Sequence, residues 1–482
     1  MNDNLFKKFL SFSYGSWIGL IVGFFGTMVT TRILLPEDFG KASMFTLALN
    51  VLMIAIMFGT DQSFVRFFYE ENPENRGGLL YNSIRIPLTL SIAVITIVMI
   101  FNKRISIWLF EEESITVVLF LCLGILAQMI FRFATLVIRM QQKGALYSNI
   151  HIFHKTLDVL TLLILYFIYG PTYKIIIYSV VINLILLAIY GIWKEKAFWS
   201  IRNLNLKNLV HTKKEIIQFG SPLVITVLIT WLFQSFDKIA IRHWSDFSEL
   251  GLYSAAFKIV ALVNVLQVSF STFWAPVAYE KYLKEPNDKE FFSKIFKIVS
   301  FTMFFVAIAS IAGKDIIVFM LGKEYRAASN IMPFLVFMPI MYTISEITVT
   351  GINFHKKPKW HILIASISCF INIGGNAILV PEYGAIGASI STAFSYVVFF
   401  GLRTQISKKY FEVNYNLKKT YFIIAIISLY ALFSIRNSSF YLNIVIGIII
   451  AILVIFLYLK DIKVGYKALR ELKNVNKDSE SR

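Results

Sequence analysis

Apolar residues along this chain fall into about fourteen separate blocks of roughly twenty residues, each long enough for a helix to cross a hydrocarbon core of about 30 Å. The blocks run 9–34, 42–67, 79–101, 115–140, 145–169, 175–193, 216–241, 252–277, 295–312, 331–352, 360–380, 385–402, 421–433 and 441–459. Backbone groups in lipid have to be satisfied within their own segment, and runs this long are not the short alternating strands of a barrel. The pattern predicts an all-α polytopic membrane protein. No small-residue cleavage site follows the first apolar run, so that block is expected to stay as a helix.

Composition removes the alternatives to a membrane protein. Of 482 residues, 57% are hydrophobic and 16% charged, which no soluble multidomain chain matches. The formal charge of +18 raises the question of nucleic acid, but the basic residues are spread over alternate connections and form no single patch. One set of connections holds Arg139 and Lys143; Lys194, Lys196, Arg202, Lys207, Lys213 and Lys214; Lys281, Lys284, Lys289 and Lys294; Lys356, Lys357 and Lys359; Arg403, Lys408, Lys409, Lys418 and Lys419; and the segment from Lys460 to Arg482. The other set is poorer by roughly three to one, which predicts cytoplasmic N- and C-termini. Anionic lipid headgroups are the partner this charge implies, and no nucleic acid. Cys122 and Cys369 both lie in apolar blocks, and the chain has neither CxxC nor HExxH, so no disulfide, metal site or cofactor is expected. Nor is there a phosphate-cradling glycine motif, so work on a cargo has to come from a proton or sodium gradient or from the cargo's own gradient.

The chain also repeats itself. The first block ends in Thr31-Arg32-Ile33-Leu34-Leu35-Pro36-Glu37-Asp38-Phe39-Gly40-Lys41-Ala42-Ser43, and the seventh in Asp237-Lys238-Ile239-Ala240-Ile241, followed by Ser248-Glu249-Leu250-Gly251-Leu252-Tyr253-Ser254. In both, a basic residue closes a helix, an acidic turn follows, and Gly-x-x-Ser opens the next helix. An offset of about 210 residues, or six helices, keeps both copies in the same direction across the membrane. The expected division is an N-terminal six-helix lobe at 1–194, a cytoplasmic linker at 195–215, a C-terminal six-helix lobe at 216–403, two further helices at 404–460 and a basic cytoplasmic tail at 461–482. Such lobes predict a central cavity and alternating access by rocking.

This repeat, together with Asn376-Ala377-Ile378-Leu379-Val380-Pro381-Glu382-Tyr383-Gly384-Ala385-Ile386-Gly387-Ala388-Ser389, resembles the polysaccharide transporter or O-antigen flippase family. That family is part of the multidrug/oligosaccharidyl-lipid/polysaccharide exporter superfamily. The resemblance implies a non-enzymatic flippase in a bacterial cytoplasmic membrane that moves undecaprenyl-pyrophosphate-linked oligosaccharide outward for surface polysaccharide export, with a polysaccharide polymerase and glycosyltransferases as partners. The chain departs from the lipid II flippase branch of the superfamily, whose first helix carries arginines at points that fall near Leu20 and Gly26 here. Another helix has to supply the positive charge.

Two neighbouring blocks offer it. His151, His154, Lys155 and Asp158 share one helix face, and Gln128, Arg132, Thr135 and Arg139 share another. Counting about 1.5 Å per residue from the hairpin at Gly144 places Arg132 and Lys155 roughly 17 Å into the membrane, facing one space. Charge at that depth costs at least about 2.5–3.5 kcal/mol without a partner or water, so the group is expected either to line a cargo cavity or to neutralise itself against Asp158. Asp237, Lys238, Lys258 and Arg32 are further cavity candidates near the opposite end. Asp61 and Glu346 lie about 13 Å deep and are the candidates for ion coupling, with Arg66 and Lys356 as their structural partners otherwise. Two other functions fit the same chain: a cation-coupled multidrug exporter, and a membrane glycosyltransferase or assembly scaffold.

Overall fold

The computed structural model describes residues 3–200, 209–437 and 439–459, and every regular element among them is helical. The tail at 461–482 and residues 201–208 of the expected linker lie outside the described residues. The helices are α1 Asp3–Ile33, α2 Pro36–Met57, α3 Thr60–Phe67, α4 Arg76–Ile100, α5 Asn102–Phe110, α6 Ile115–Met140, α7 Gly144–Tyr169, α8 Lys174–Lys194 and α9 Lys196–Trp199. They continue with α10 Lys213–Trp244, α11 Phe247–Lys284, α12 Lys289–Ala312, α13 Lys314–Phe319, α14 Ala328–Leu335, α15 Phe337–Thr348, α16 Thr350–Phe354, α17 Lys359–Lys408 and α18 Leu417–Arg436. A last helix, α19, spans Phe440–Leu459. Among the described residues twelve helical stretches are long and apolar enough to cross a membrane. The 50-residue α17 is broken at Gly384 (φ 52°, ψ −132°) into two segments, and α1 is apolar over Trp17–Ile33, so a total of about fourteen is compatible with the described helices.

Local chemistry sets the breaks. Pro36 occupies the first turn of α2, where its missing N–H costs nothing, and Glu37 and Asp38 complement the helix N-terminus. The second hydrophobic block is not one helix: Phe58 (φ 45°) and Gly59 (φ 74°) are both left-handed, which ends α2 and starts α3. α10 opens with a capping box, Thr212 Oγ1 accepting from the Glu215 amide and the Glu215 carboxylate accepting from the Thr212 amide.

One compact unit gathers the described residues of Met1–Lys258, Leu321–Tyr325 and Val380–Ala385, and a second those of Ile259–Met320, Arg326–Leu379 and Ile386–Arg482. In the first, α1 lies along α7 through Gly15, Gly19, Gly23 and Gly26; a methyl on Gly15 would sit 2.4 Å from Ser148 Cα, and one on Gly26 would sit 2.8 Å from Val159 Cγ2. α10 belongs here because Gly59 and Gly220 meet backbone to backbone and Ser63 Oγ donates to Ile216 O at 2.7 Å. The start of α11 belongs here too: a methyl on Gly40 would lie 2.1 Å from Phe247 O, and one on Gly251 would lie 1.9 Å from Pro36 O. These packing units therefore divide the chain at other points than the sequence repeat does.

Within the second unit, buried Lys314 donates to Ser434 O at 2.6 Å and Asn330 Oδ1 at 3.1 Å, while Asn443 Nδ2 reaches Ile311 O at 3.1 Å. Both contacts fix the final helix pair, α18 and α19, to the end of α12. Arg403 pairs with Glu346 at 2.9 Å, donates to Ser345 Oγ at 2.6 Å, and lies over the rings of Tyr342 and Phe399 at 5.1 and 4.9 Å.

Candidate functional site

The first unit encloses a cavity of about 400 Å³ between α2, α3, α6, α7 and α10. Its position follows from the break after α2. The left-handed pair Phe58–Gly59 puts Asp61 in the first turn of α3, and the glycine contact with Gly220 holds the mouth of that turn against α10. Broken helices recur where membrane proteins line a polar path, because freed backbone groups are tolerated only there.

Arg132 reaches across from α6. Its Nη2 and Nε lie 2.8 and 3.3 Å from Asp61 Oδ2, and Gln62 Nε2 donates to the same oxygen at 3.3 Å. One turn earlier on α6, Gln128 donates to Asn50 Oδ1 at 3.3 Å. α7 contributes His151, stacked edge-on to Tyr147 at 4.6 Å, and His154, edge-on to Phe131 at 5.5 Å. Leu223, Val224 and Val227 of α10 make the apolar wall. Two polar atoms at this cavity, Gln128 Oε1 and His151 Nε2, are buried without a hydrogen bond to any described residue. An unmade hydrogen bond of that kind costs about 1–3 kcal/mol, so both atoms favour a polar occupant.

The structure divides the sequence-predicted residues between two neighbourhoods. Gln128, Arg132, His151, His154 and Asp61 line one cavity. Lys155 is not among its lining residues: its stem lies on α1, with Cγ 3.6 Å from where a Gly19 side chain would begin and Cδ 3.6 Å from the corresponding point of Gly23. Its ammonium meets Asp158 Oδ2 at 3.4 Å, and Asp158 Oδ1 also accepts from Asn183 Nδ2 at 2.9 Å. Lys258 feels Lys155 and Lys238 as like charges and Asp158 as the opposing one, so these lysines form a second basic neighbourhood. Lys258 stands over the Phe39 ring at 4.5 Å and Lys238 over Phe257 at 5.6 Å. Asp237 is buried and accepts from Tyr253 Oη at 2.5 Å, while Arg32 sits exposed in the last turn of α1.

Three expected pairings are replaced. Arg132 does not neutralise Asp158 but pairs with Asp61, because the α3 turn brings a carboxylate closer than α7 does. Arg66 pairs with Glu70, in the turn just past the end of its helix, and not with Asp61. Glu346 pairs with Arg403 of α17, not with Lys356. The glycines of α1 that seat Lys155 carry a sequence signal of their own: four glycines at spacings of four, four and three residues mark close helix packing. Among the described residues no group of three His, Cys, Asp or Glu side chains is placed to hold a metal.

Comparison with known proteins adds independent findings. A family model described as "Polysaccharide biosynthesis protein" matches residues 29–330. An uncharacterized membrane protein of Methanocaldococcus jannaschii is 19% identical over 415 residues, covering 80% of each chain. A protein of Haloferax volcanii named as a probable low-salt glycan biosynthesis flippase, Agl15, is 21% identical over 234 residues, 48% of each chain. Among solved structures, the lipid II flippase MurJ in an inward closed conformation superposes with a TM-score of 0.68 at 17% identity, covering 94% of this chain and 99% of that one. An inward-facing MATE-family multidrug transporter superposes with a TM-score of 0.58 at 13% identity, covering 82% and 94%. At such identities these two likenesses concern the fold.

Proposed function

The chain belongs to the polysaccharide biosynthesis protein family, and from that premise we propose that it is a flippase for lipid-linked oligosaccharide, with undecaprenyl-pyrophosphate-linked repeat units of a surface polysaccharide as cargo. The observation that carries this reading is the cavity-facing Arg132 beside the unpartnered Gln128 Oε1 and His151 Nε2. A glycosyl diphosphate presents two anionic groups to a guanidinium and several hydroxyls to an amide oxygen and an imidazole. Its polyprenyl tail stays in lipid while the head group crosses by alternating access, and no bond is made or broken. The second basic group, Lys155, Lys238 and Lys258, gives the diphosphate a further station along the path. The membrane is the bacterial cytoplasmic membrane, with both termini on the cytoplasmic side. A polymerase and glycosyltransferases act on either side of the step, and a proton or sodium gradient supplies direction.

The multidrug-exporter alternative needs a carboxylate to receive a cationic drug. Asp61, the carboxylate at this cavity, is already engaged by Arg132, which favours an anionic cargo.

The test is delivery of lipid-linked oligosaccharide across reconstituted vesicles. Loss of one charged contact at a partly hydrated site costs on the order of 1.5–3 kcal/mol, so Arg132→Ala and Lys155→Ala should each lower apparent affinity roughly ten- to a hundredfold. Arg132→Lys should recover part of the loss, since it cannot reproduce a bidentate contact. Were Arg132 only a partner for Asp61, the combined change Arg132→Ala and Asp61→Asn would restore transport; near-normal flipping in that variant overturns the assignment.

A further inference from the structure

Among the described residues two Arg–carboxylate pairs, Arg132–Asp61 and Arg403–Glu346, join helices of the apolar blocks, and their surroundings differ in a way that assigns them different work. Arg403 and Glu346 have side-chain exposures of 7% and 17%, and the guanidinium is held by Ser345 Oγ and two aromatic rings as well as by its carboxylate. That pair is locked. Arg132 is 45% exposed while its partner Asp61 is 12% exposed, so of the two groups that line the cavity the cation is the more open to it. Both recorded contacts of Arg132 to Asp61 use Nε and Nη2 on one oxygen, Oδ2.

Asp61 also keeps a hydrogen-bond donor when Arg132 turns away. Gln62 Nε2 donates to the same oxygen at 3.3 Å, and the carboxylate lies in the first turn of α3, where a helix N-terminus favours negative charge. Exchange of the guanidinium from one anion to another thus leaves no carboxylate without a donor.

Resting on the flippase reading above, we infer that Asp61 is an internal stand-in for the cargo's diphosphate: it holds Arg132 while the cavity is free of cargo, yields it to the incoming anion, and reclaims it when cargo leaves. The device solves two problems at once. It keeps Arg132 from standing as an uncompensated charge in the membrane, and it keeps the arginine from binding cargo too tightly to release. Asp61 is accordingly a positioning residue that sets affinity through Arg132 and touches no cargo itself.

The test uses the full-length protein in lipid nanodiscs, with polyprenyl diphosphate as probe and the uncharged polyprenol as control. Wild type should prefer the diphosphate. Asp61→Asn, by removing the competing anion, should bind it about tenfold more tightly, the scale of one charged hydrogen bond. In reconstituted vesicles the same variant should show a lower KM together with a lower kcat, since release now lacks its competitor. Arg132→Ala should abolish the gain, so that Arg132→Ala and Asp61→Asn/Arg132→Ala bind alike. Equal or weaker diphosphate binding by Asp61→Asn, with wild type still selective, overturns the stand-in inference alone and marks Asp61 as a brace. A wild type that fails to distinguish diphosphate from polyprenol overturns the cargo reading itself. If Asp61→Asn does not fold, the wild-type protein still decides: addition of polyprenyl diphosphate should change a carboxylate band in the difference infrared spectrum, the change should vanish in Arg132→Ala, and no carboxylate change in wild type overturns the inference.

Discussion

The locked pair in the second unit makes a sharp prediction about additivity. Arg403→Met removes a cation that donates to Glu346 at 2.9 Å and Ser345 at 2.6 Å, leaving the carboxylate with little access to water. Breaking one side of a buried pair costs about 3–5 kcal/mol, whereas replacing both sides by groups of similar volume is often close to neutral. Glu346→Gln alone strands the arginine between Tyr342 and Phe399 and should cost a comparable amount. Arg403→Met with Glu346→Gln should recover most of either loss, a coupling at or above the upper end of the roughly 0.5–3 kcal/mol seen for contacting residues. The two cysteines, Cys122 and Cys369, are both buried, so a thiol-reactive fluorophore reports unfolding of the protein in detergent. In a Cys122→Ala background the remaining thiol, Cys369, belongs to the second unit. The expected order of melting temperature is wild type, then the double variant slightly below, then the two singles well below. Additive losses in the double variant would refute the pairing argument. The double variant should also transport with unaltered ion dependence, since Glu346 is spent on Arg403; a lost dependence would return Glu346 to the coupling role.

Four further outcomes are expected. Gly40→Ala and Gly251→Ala each thrust a methyl to within 2.1 Å of backbone, so each should destabilise by about 1–3 kcal/mol in the same thermal assay. Gly374→Ala, with nothing within 4 Å of the new methyl, should be neutral or gain about 0.5–1 kcal/mol. Reporter fusions at Ser248 and Asn437 should read external and a fusion at Asn414 cytoplasmic, opposite signals at any two sites overturning the orientation. Burial pushes the Glu112 carboxyl up, but hydrogen bonds from Tyr173 and Lys174 outweigh it and hold the group below its ordinary value. Its stabilisation is therefore present above the ordinary carboxylate range and lost as pH falls through the depressed value. Glu112→Gln should flatten that acid limb in a melting-temperature series.

Helix number and placement were legible because a bilayer forces every crossing to advertise itself as an apolar run. Gln128, Arg132, His151 and His154 were legible for a related reason: polar residues are costly at that depth, so their spacing exposes a wet face. The pairings were not legible. Arg132 and Asp61 are 71 residues apart, and Arg403 and Glu346 are 57 apart; both contacts depend on helix rotation, which periodicity does not fix. The break at Phe58–Gly59 was hidden because apolar residues continue across it, so a hydropathy block merged α2 with α3. The neighbour of Lys155 was not legible either, since the glycines that seat it lie on α1, more than 130 residues earlier.

That seat has a consequence for how positive charge is inherited among such transporters. Near the points where the lipid II branch is expected to bear arginine on the first helix this chain has Leu20 and Gly26, and a lysine from α7 lies against Gly19 and Gly23 of the same helix. A charge at a fixed point in the membrane can thus be lent by whichever helix is adjacent, and aligned positions alone will score the exchange as a loss. Relocation should be possible by design: Gly23→Lys should restore cargo delivery to a Lys155→Ala protein, because truncating Lys155 vacates the room the new stem needs. Failure of the swapped chain to flip, at normal expression, would mean that α7 itself and not merely its ammonium is required.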